Sequence, residues 1–283
     1  GREQVPSIVA AQRLGLRVIA IDANPAAPGL SLADQGLVID IAHEETVIKV
    51  AERGNVSLVI PAPIGRYLTT VGAVNDALGL RGITRQAAVN CVDKAAFHNL
   101  LLKAHLERPR QVIARGRDSL LCAIDRLDVP FVLKPRFGSG GRGVIVVQSK
   151  EEIEKAVDEH LHEGAGEFDS LIEEVVNGHV IGLDGAVIDS CFVLTLMREK
   201  ILTPTPYRVE IGYLAPARLG KSLCEAIDRT VGKCAKLLGL SNCLVHADLI
   251  VRSDGLPVVV EMAGRPSGLF ISSKMVPFAT GID

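Results

Sequence analysis

Apolar residues recur at helical spacing over residues 4–14 (Val5, Ile8, Val9, Leu14), with Pro6 in the first turn, where its missing N–H costs nothing. The run Val18 to Ile21 reads as a buried strand ending at Asp22. Strand patterns at 37–41 and 56–60 alternate with helical stretches at 43–53 and 67–79, and strand, helix, strand with short links predicts a parallel sheet covered by helices. Helical patterns follow at 84–92 and 94–106, then a strand at 110–114 and a helix at 118–127. Two apolar runs, 131–133 and 144–147, precede a helix at 150–161 whose Ile153, Val157 and Leu161 share one face. Segment 201–218 is proline-rich and reads as irregular, and a long helix is predicted over 219–238. The apolar runs 245–251 and 258–260 are joined by Asp254 and Gly255, a hairpin signal.

The turn between 131–133 and 144–147 changes the picture, because it holds four glycines in six residues, Gly138, Gly140, Gly141 and Gly143. Glycine lets a backbone approach a ligand and turn its N–H groups toward it, which suits a phosphate chain, and Lys134 and Arg142 supply positive charge. A dinucleotide fingerprint with these letters must open a helix, and a Val/Ile run follows instead. A Walker loop ends in Gly-Lys-Ser/Thr, whereas Gly143 is followed by Val144. A kinase glycine loop has its lysine on the strand after the loop, and no His-Arg-Asp or Asp-Phe-Gly lies downstream.

Composition narrows the classes. The chain has 283 residues, 48% hydrophobic and 23% charged, with a formal net charge of −2. That balance argues against a nucleic-acid or membrane-surface binder, which needs a basic excess. No apolar run approaches a bilayer span and residues 1–20 lack a signal-peptide pattern, so a cytoplasmic protein is expected. The six cysteines are scattered without zinc spacing and read as reduced, mostly buried thiols. His160 and His162 lie on different helix faces and do not read as a metal pair.

Candidate chemistry sits elsewhere. Asp93 suits a helix N-cap. Lys94 at that helix start opposes the dipole, a poor choice for stability alone and a better one for reaching a phosphate. Asp248 and Glu261 fall on the two strands of the last hairpin, where their carboxylates can converge; unpaired in apolar strands they would be costly without a cation, which favours Mg²⁺ completed by water and phosphate oxygens, with Mn²⁺ an option. Arg208 and Glu210 are candidates for reading a substrate's carboxylate and amine groups, with surface ion pairing as the alternative. No Gly-x-Ser-x-Gly elbow is present and no serine is partnered with His246 and Asp248 in any motif, so hydrolase chemistry is disfavoured.

Lys134-Pro135 ahead of a glycine hairpin, an Asp93-Lys94 pair some forty residues earlier, Glu173-Glu174-Val175-Val176-Asn177-Gly178, and Glu261-x-Ala263-x-Arg265 occur in one order. Together they resemble the ATP-grasp superfamily, and carboxylate-amine ligases and L-amino-acid ligases in particular. Gly1, Gln4 and Pro6 with Asp22-x-Asn24-Pro25 resemble the pre-ATP-grasp domain of such ligases. The resemblance implies an ATP-grasp fold of mixed α/β and α+β class: a parallel-sheet pre-ATP-grasp domain over 1–88, a small subdomain with the phosphate lid over 89–178, and a C-terminal subdomain with the metal site over 179–283. Both ends are expected to be cut, with some of the fold outside this sequence. By resemblance, Pro61 to Gly65 line the cleft. Lys94, Lys134, Ser139, Gly140, Gly141, Arg142 and Gly143 bind the phosphates. Glu173, Glu174 and Val176 hold the adenine. The acidic residue expected two beyond Gly178 is Val180 here, leaving His179 or Asp184 for the ribose. Asp248 and Glu261 carry the metal, with Ala263 in place of a customary asparagine. Arg265 faces the transferring phosphoryl group or the substrate carboxylate, and it and Lys134 are the expected catalytic residues. The implied activity is ATP-dependent conversion of a small carboxylate to an acyl phosphate, followed by amide formation with an amine, in a chain that binds no nucleic acid or membrane and is a possible homodimer. The alternatives are a bicarbonate-using or purine-pathway type of the same family, and an ATP-binding regulatory module without chemistry.

Overall fold

A computed structural model describes residues 1–282 except Pro63, Arg126, Ser139 and 166–168. The helices are α1 (Val5–Arg13), α2 (Pro28–Leu32), α3 (Glu44–Arg53), α4 (Leu68–Leu78), α5 (Arg85–Val92), α6 (Lys94–Lys103), α7 (Arg117–Ile124), α8 (Ile153–His160), α9 (Lys221–Leu238) and α10 (Val276–Thr280). The strands are β1 (Ile19–Asp22), β2 (Gln35–Val38), β3 (Gln111–Ala114), β4 (Phe131–Pro135), β5 (Ile145–Val147), β6 (Ser170–Glu174), β7 (His179–Ile188), β8 (Cys191–Leu202), β9 (Glu210–Leu214), β10 (Cys243–Val251) and β11 (Pro257–Ala263).

Among the described residues these strands form three sheets. β1 and β2 pair in parallel. The order β3-β6-β4-β5 makes a small antiparallel sheet and β11-β10-β7-β8-β9 a larger one. The strand expected at 56–60 is not formed. Val56 gives its N–H to the Ala51 carbonyl at the end of α3, and Val56 and Val59 pack on Val47, Ala51 and Val74, so the apolar run is used as packing without a ladder. Within the segment expected to be irregular, β9 pairs with β8. Its prolines lie outside the ladder, Pro204 and Pro206 ahead of β9 and Pro216 after it, where a missing N–H does no harm.

The main core joins Leu68 and Val71 of α4, Ala87 of α5 and Phe97 and Leu101 of α6 to Leu183 of β7, Ala247 of β10 and Val231 of α9. Residues 89–103 therefore pack on the large sheet, although the sequence groups them with the lid. A second core beneath the small sheet unites Leu120, Leu133, Val157 and Ile172. No helix of the described residues is long and apolar enough to cross a membrane. All six cysteines are free; Cys91 and Cys234 are buried and their thiols pushed up to about 12 by desolvation, while Cys122 and Cys191 are exposed.

Candidate nucleotide and substrate cleft

The small and large sheets enclose a cleft of about 860 Å³, the size of a small-molecule site. One wall is built from α6, β4 and β6. Asp93 caps α6 by accepting from the N–H groups of Ala95 and Ala96, and the same carboxylate takes two bonds from Arg136, at 2.8 and 2.6 Å. Arg136 also reaches Asp169 at 2.7 Å, so the root of the glycine hairpin is tied to the helix that carries Lys94. Lys94 donates to the Gly138 carbonyl at 2.9 Å. Burial pushes its ammonium down, with Glu261 pulling the other way.

Lys134 projects from β4 and pairs with Glu173 of β6 at 2.7 Å; their side chains are 6% and 3% exposed. Glu173 thus carries a carboxylate role that sequence reasoning did not assign to it. Glu174 is engaged by Arg110, which contacts it through both backbone N–H and guanidinium. Val176 lines the cleft.

At the hairpin tip Gly140 and Gly141 both have φ of +71° with open space where a Cβ would stand, and with Arg142 they border the cleft. Gly143 differs from expectation. Its N–H donates to Glu163 at 3.2 Å and its carbonyl lies 2.6 Å from His160 Nδ1, so its polar groups anchor the tip instead of facing the cleft. His160 completes that anchor through Ser170 Oγ at 2.8 Å. Ser139 lies outside the described residues, as does Pro63.

The opposite wall comes from β8, β10 and β11. Asp248 and Glu261 are register partners, and both border the cleft. The cation expected beside Asp248 is supplied by the protein: Lys200 lies 2.7 Å from Oδ2. Burial alone would raise the Asp248 carboxyl, but Lys200, His246 and Arg198 outweigh it and hold it at about 2. The argument that burial demands a metal therefore applies to less of Asp248 than the sequence suggests. Its Oδ1 accepts no hydrogen bond among the described residues, though His246 Nε2 stands 3.5 Å away, and Glu261 has no ion pair there. Among those residues no group of three or more His, Cys, Asp or Glu side chains is arranged to hold a metal ion.

Several expected roles are redistributed here. Glu210 pairs with Lys200 and accepts from the Tyr213 hydroxyl, so its carboxylate is committed within the protein. Asp184, an expected ribose ligand, is buried against Arg198 and Ser267. His179 is exposed and outside the cleft, because strand alternation turns it away while Val180 faces inward. Arg208 and Arg265 border the cleft without a carboxylate partner among the described residues; Arg265 donates to the Pro266 carbonyl at 2.9 Å. A serine does stand by His246, since Ser267 Oγ is 2.9 Å from Nδ1. That hydroxyl donates to Asp184 and is 1% exposed, so it is no nucleophile.

Arg198, Lys200 and Ser267 escaped sequence reasoning. The available signal was Arg198 and Lys200 two apart on either side of Glu199 in a largely apolar strand, which places them on one face. Gly182 makes room for Arg198: a Cβ there would lie 2.8 Å from the guanidinium carbon.

Comparison with known proteins fits this architecture. A formate-dependent phosphoribosylglycinamide formyltransferase of Methanocaldococcus jannaschii is 29% identical over 273 residues, covering 92% of this chain and 66% of that protein. An alanine–anticapsin ligase of Bacillus subtilis is 23% identical over 245 residues, covering 79% of this chain and 51% of the relative. The chain thus spans about half to two thirds of the length of these relatives. The crystal structure of an L-amino acid ligase from Bacillus licheniformis superposes with a TM-score of 0.81 at 23% identity, covering 97% of this chain and 67% of that one. The family model described as the ATP-grasp domain matches residues 127–273, just over half of the sequence, and the chain belongs to the ATP-grasp family.

Proposed function

We propose that this chain binds ATP in the cleft and activates a small carboxylate as an acyl phosphate, which an amine then converts to an amide. The observation that carries the reading is the division of charge: Lys94, Lys134 and the open glycine tip on one wall face Asp248, Glu261 and Arg265 on the other. Phosphoryl transfer needs positioning and charge neutralisation more than acid or base groups, and the described residues of this cleft offer cations and N–H donors with no obvious nucleophile. Lys94 and Lys134 would draw the phosphate chain under the tip, and Val176 with the strand beside it would hold the base. Among the described residues Asp248 Oδ1 accepts no hydrogen bond, with His246 Nε2 3.5 Å away, and Glu261 has no ion pair, so these hard oxygen donors fit Mg²⁺ with phosphate oxygens and water completing its shell. Such an ion would supply charge neutralisation on the phosphates. Arg265 and Arg208, without carboxylate partners among the described residues, are left to receive the substrate's carboxylate and the transferring phosphoryl group. Closure of the tip would exclude water from the acyl phosphate.

The test is incubation of the full-length protein with Mg-ATP, a panel of amino acids and small carboxylic acids, and hydroxylamine. A hydroxamate with matching ADP establishes carboxylate activation and identifies the acid. ADP formed only with bicarbonate favours the carboxylating type, and ATP binding with no ADP from any acid favours the regulatory module.

A further inference from the structure

His98 lies on α6 one turn beyond Lys94 and is wholly buried, between the two sheets. Its Nε2 is 3.2 Å from the Val260 carbonyl of β11, and its Nδ1 is 3.5 Å from Glu173 Oε1 of β6. A carbonyl only accepts, so Nε2 carries the hydrogen, and in a neutral imidazole Nδ1 then presents a lone pair to the carboxylate. Both Nδ1 and Glu173 Oε1 lack hydrogen-bond partners among the described residues. Two dry acceptors facing each other are an unfavourable arrangement, tolerable only while Lys134 holds Glu173 from its other side.

Resting on the nucleotide reading above, we propose that His98 is a positioning residue that takes over Glu173 when a phosphate chain engages Lys134. A proton from solvent binds Nδ1, Nε2 keeps the Val260 carbonyl, and the imidazolium pairs with Glu173 so that the carboxylate is never left buried without a cation. No covalent bond changes apart from the new N–H. The charged groups around the ring are Glu173 from β6, Lys134 from β4 and Arg108 from the segment leading into β3. Burial lowers the proton affinity of the ring most, Glu173 raises it, and Lys134 and Arg108 lower it. A phosphate neutralising Lys134 cancels that part of the opposition, so nucleotide binding and protonation favour one another.

The experiment is calorimetric titration of the protein with ADP and Mg²⁺ at about pH 7, where histidine responds, in buffers of low and high ionisation enthalpy. The expected result is proton uptake on binding in the wild type, its loss in His98→Gln, and ADP affinity about tenfold weaker in that variant. Nitrogen shifts of ¹⁵N-labelled histidine in the wild type give an independent reading that does not rely on the variant folding, with one buried ring gaining a proton at Nδ1 on addition of ADP. ADP binding without proton uptake would mean that Lys134 keeps both partners, and it overturns the inference. Uptake unchanged in His98→Gln would assign the proton to Lys94 or the nucleotide and also overturns it. Failure of ADP to bind at all overturns the nucleotide reading itself.

Discussion

The two walls of the cleft treat buried charge differently. On the α6, β4 and β6 side each lysine has one light tether, Lys94 to a single carbonyl and Lys134 to a single carboxylate. On the β8, β10 and β11 side the charges neutralise one another in a chain, Asp184 with Arg198 and Asp248 and Glu210 with Lys200. An ammonium has three donors, so a lysine with one partner has bonds left to offer, whereas a closed chain of pairs mainly fixes shape. The first wall is therefore poised to exchange partners with a ligand. On the second, Arg208, Glu261 and Arg265 border the cleft outside that chain, and Asp248 Oδ1 accepts no hydrogen bond among the described residues.

The sharpest way to break this contrast is Lys134→Ala. It removes the cation that Glu173 has at rest and leaves only protonation of His98 to replace it, so it should cost up to about 3–5 kcal/mol of stability, read by chemical denaturation, and it should abolish ADP binding. The double variant Lys134→Met with Glu173→Leu should recover most of that stability and none of the binding. If binding returned with stability, the lysine would be scaffold alone.

Arg198→Met tests the closed wall. Asp184 loses its buried partner, and stability should fall by about 3 kcal/mol, with recovery when Asp184→Leu is added. Protein that remains folded should still bind ADP. Loss of ADP binding out of proportion to unfolding would place Arg198 among the ligand groups.

Asp93→Asn should be milder, about 1 kcal/mol at neutral pH, because asparagine keeps an acceptor for the helix cap and loses only the charge that Arg136 pairs with. Burial opposes ionisation of Asp93, but Arg136 and the Ala95 and Ala96 N–H groups outweigh it and keep its carboxyl below the ordinary 3.8. The folded value is lower than the unfolded one, so its contribution is complete above about pH 4 and is lost as pH falls through the folded value. Wild type and variant should thus converge in acid denaturation curves. A gap that stays constant to low pH would show that the charge is not what the cap needs.

The smallest expected effect is His179→Ala, which should leave ADP affinity unchanged within about twofold because the imidazole is turned away from the cleft. Val180→Glu, at the inward position beside it, should tighten ADP binding by supplying a carboxylate for the ribose. A loss at His179 with no gain at Val180 would reverse the assignment of the strand's two faces.

Much of the architecture was legible because its signals are local. Helices α4, α5 and α9 follow from apolar spacing, the last hairpin from Asp254 and Gly255, and the position of Lys134 from the glycine turn behind it. The missing strand at 56–60 marks where local pattern fails: an apolar run reports burial, but ladder formation depends on a partner at the right distance. Gly143 shows the same limit at the site, since four glycines look alike in sequence while His160 and Glu163 single one out as an anchor.

The sequence alone determined the kind of chemistry this chain offers, with lysines at a helix start and a glycine turn, carboxylates on a hairpin and no recognisable nucleophile motif, because residue type and near-neighbour spacing set what a group can do. Only the tertiary structure decided which of those groups are spoken for. Lys200 reaches Asp248 from 48 residues away, His98 sits between Glu173 and Val260, and Ser267 turns its hydroxyl to Asp184, pairings that arise when separate strands and helices are brought together. Such contacts are not written in local pattern because they depend on register and packing between elements distant along the chain, and in a buried cleft they determine which charges remain free for a ligand.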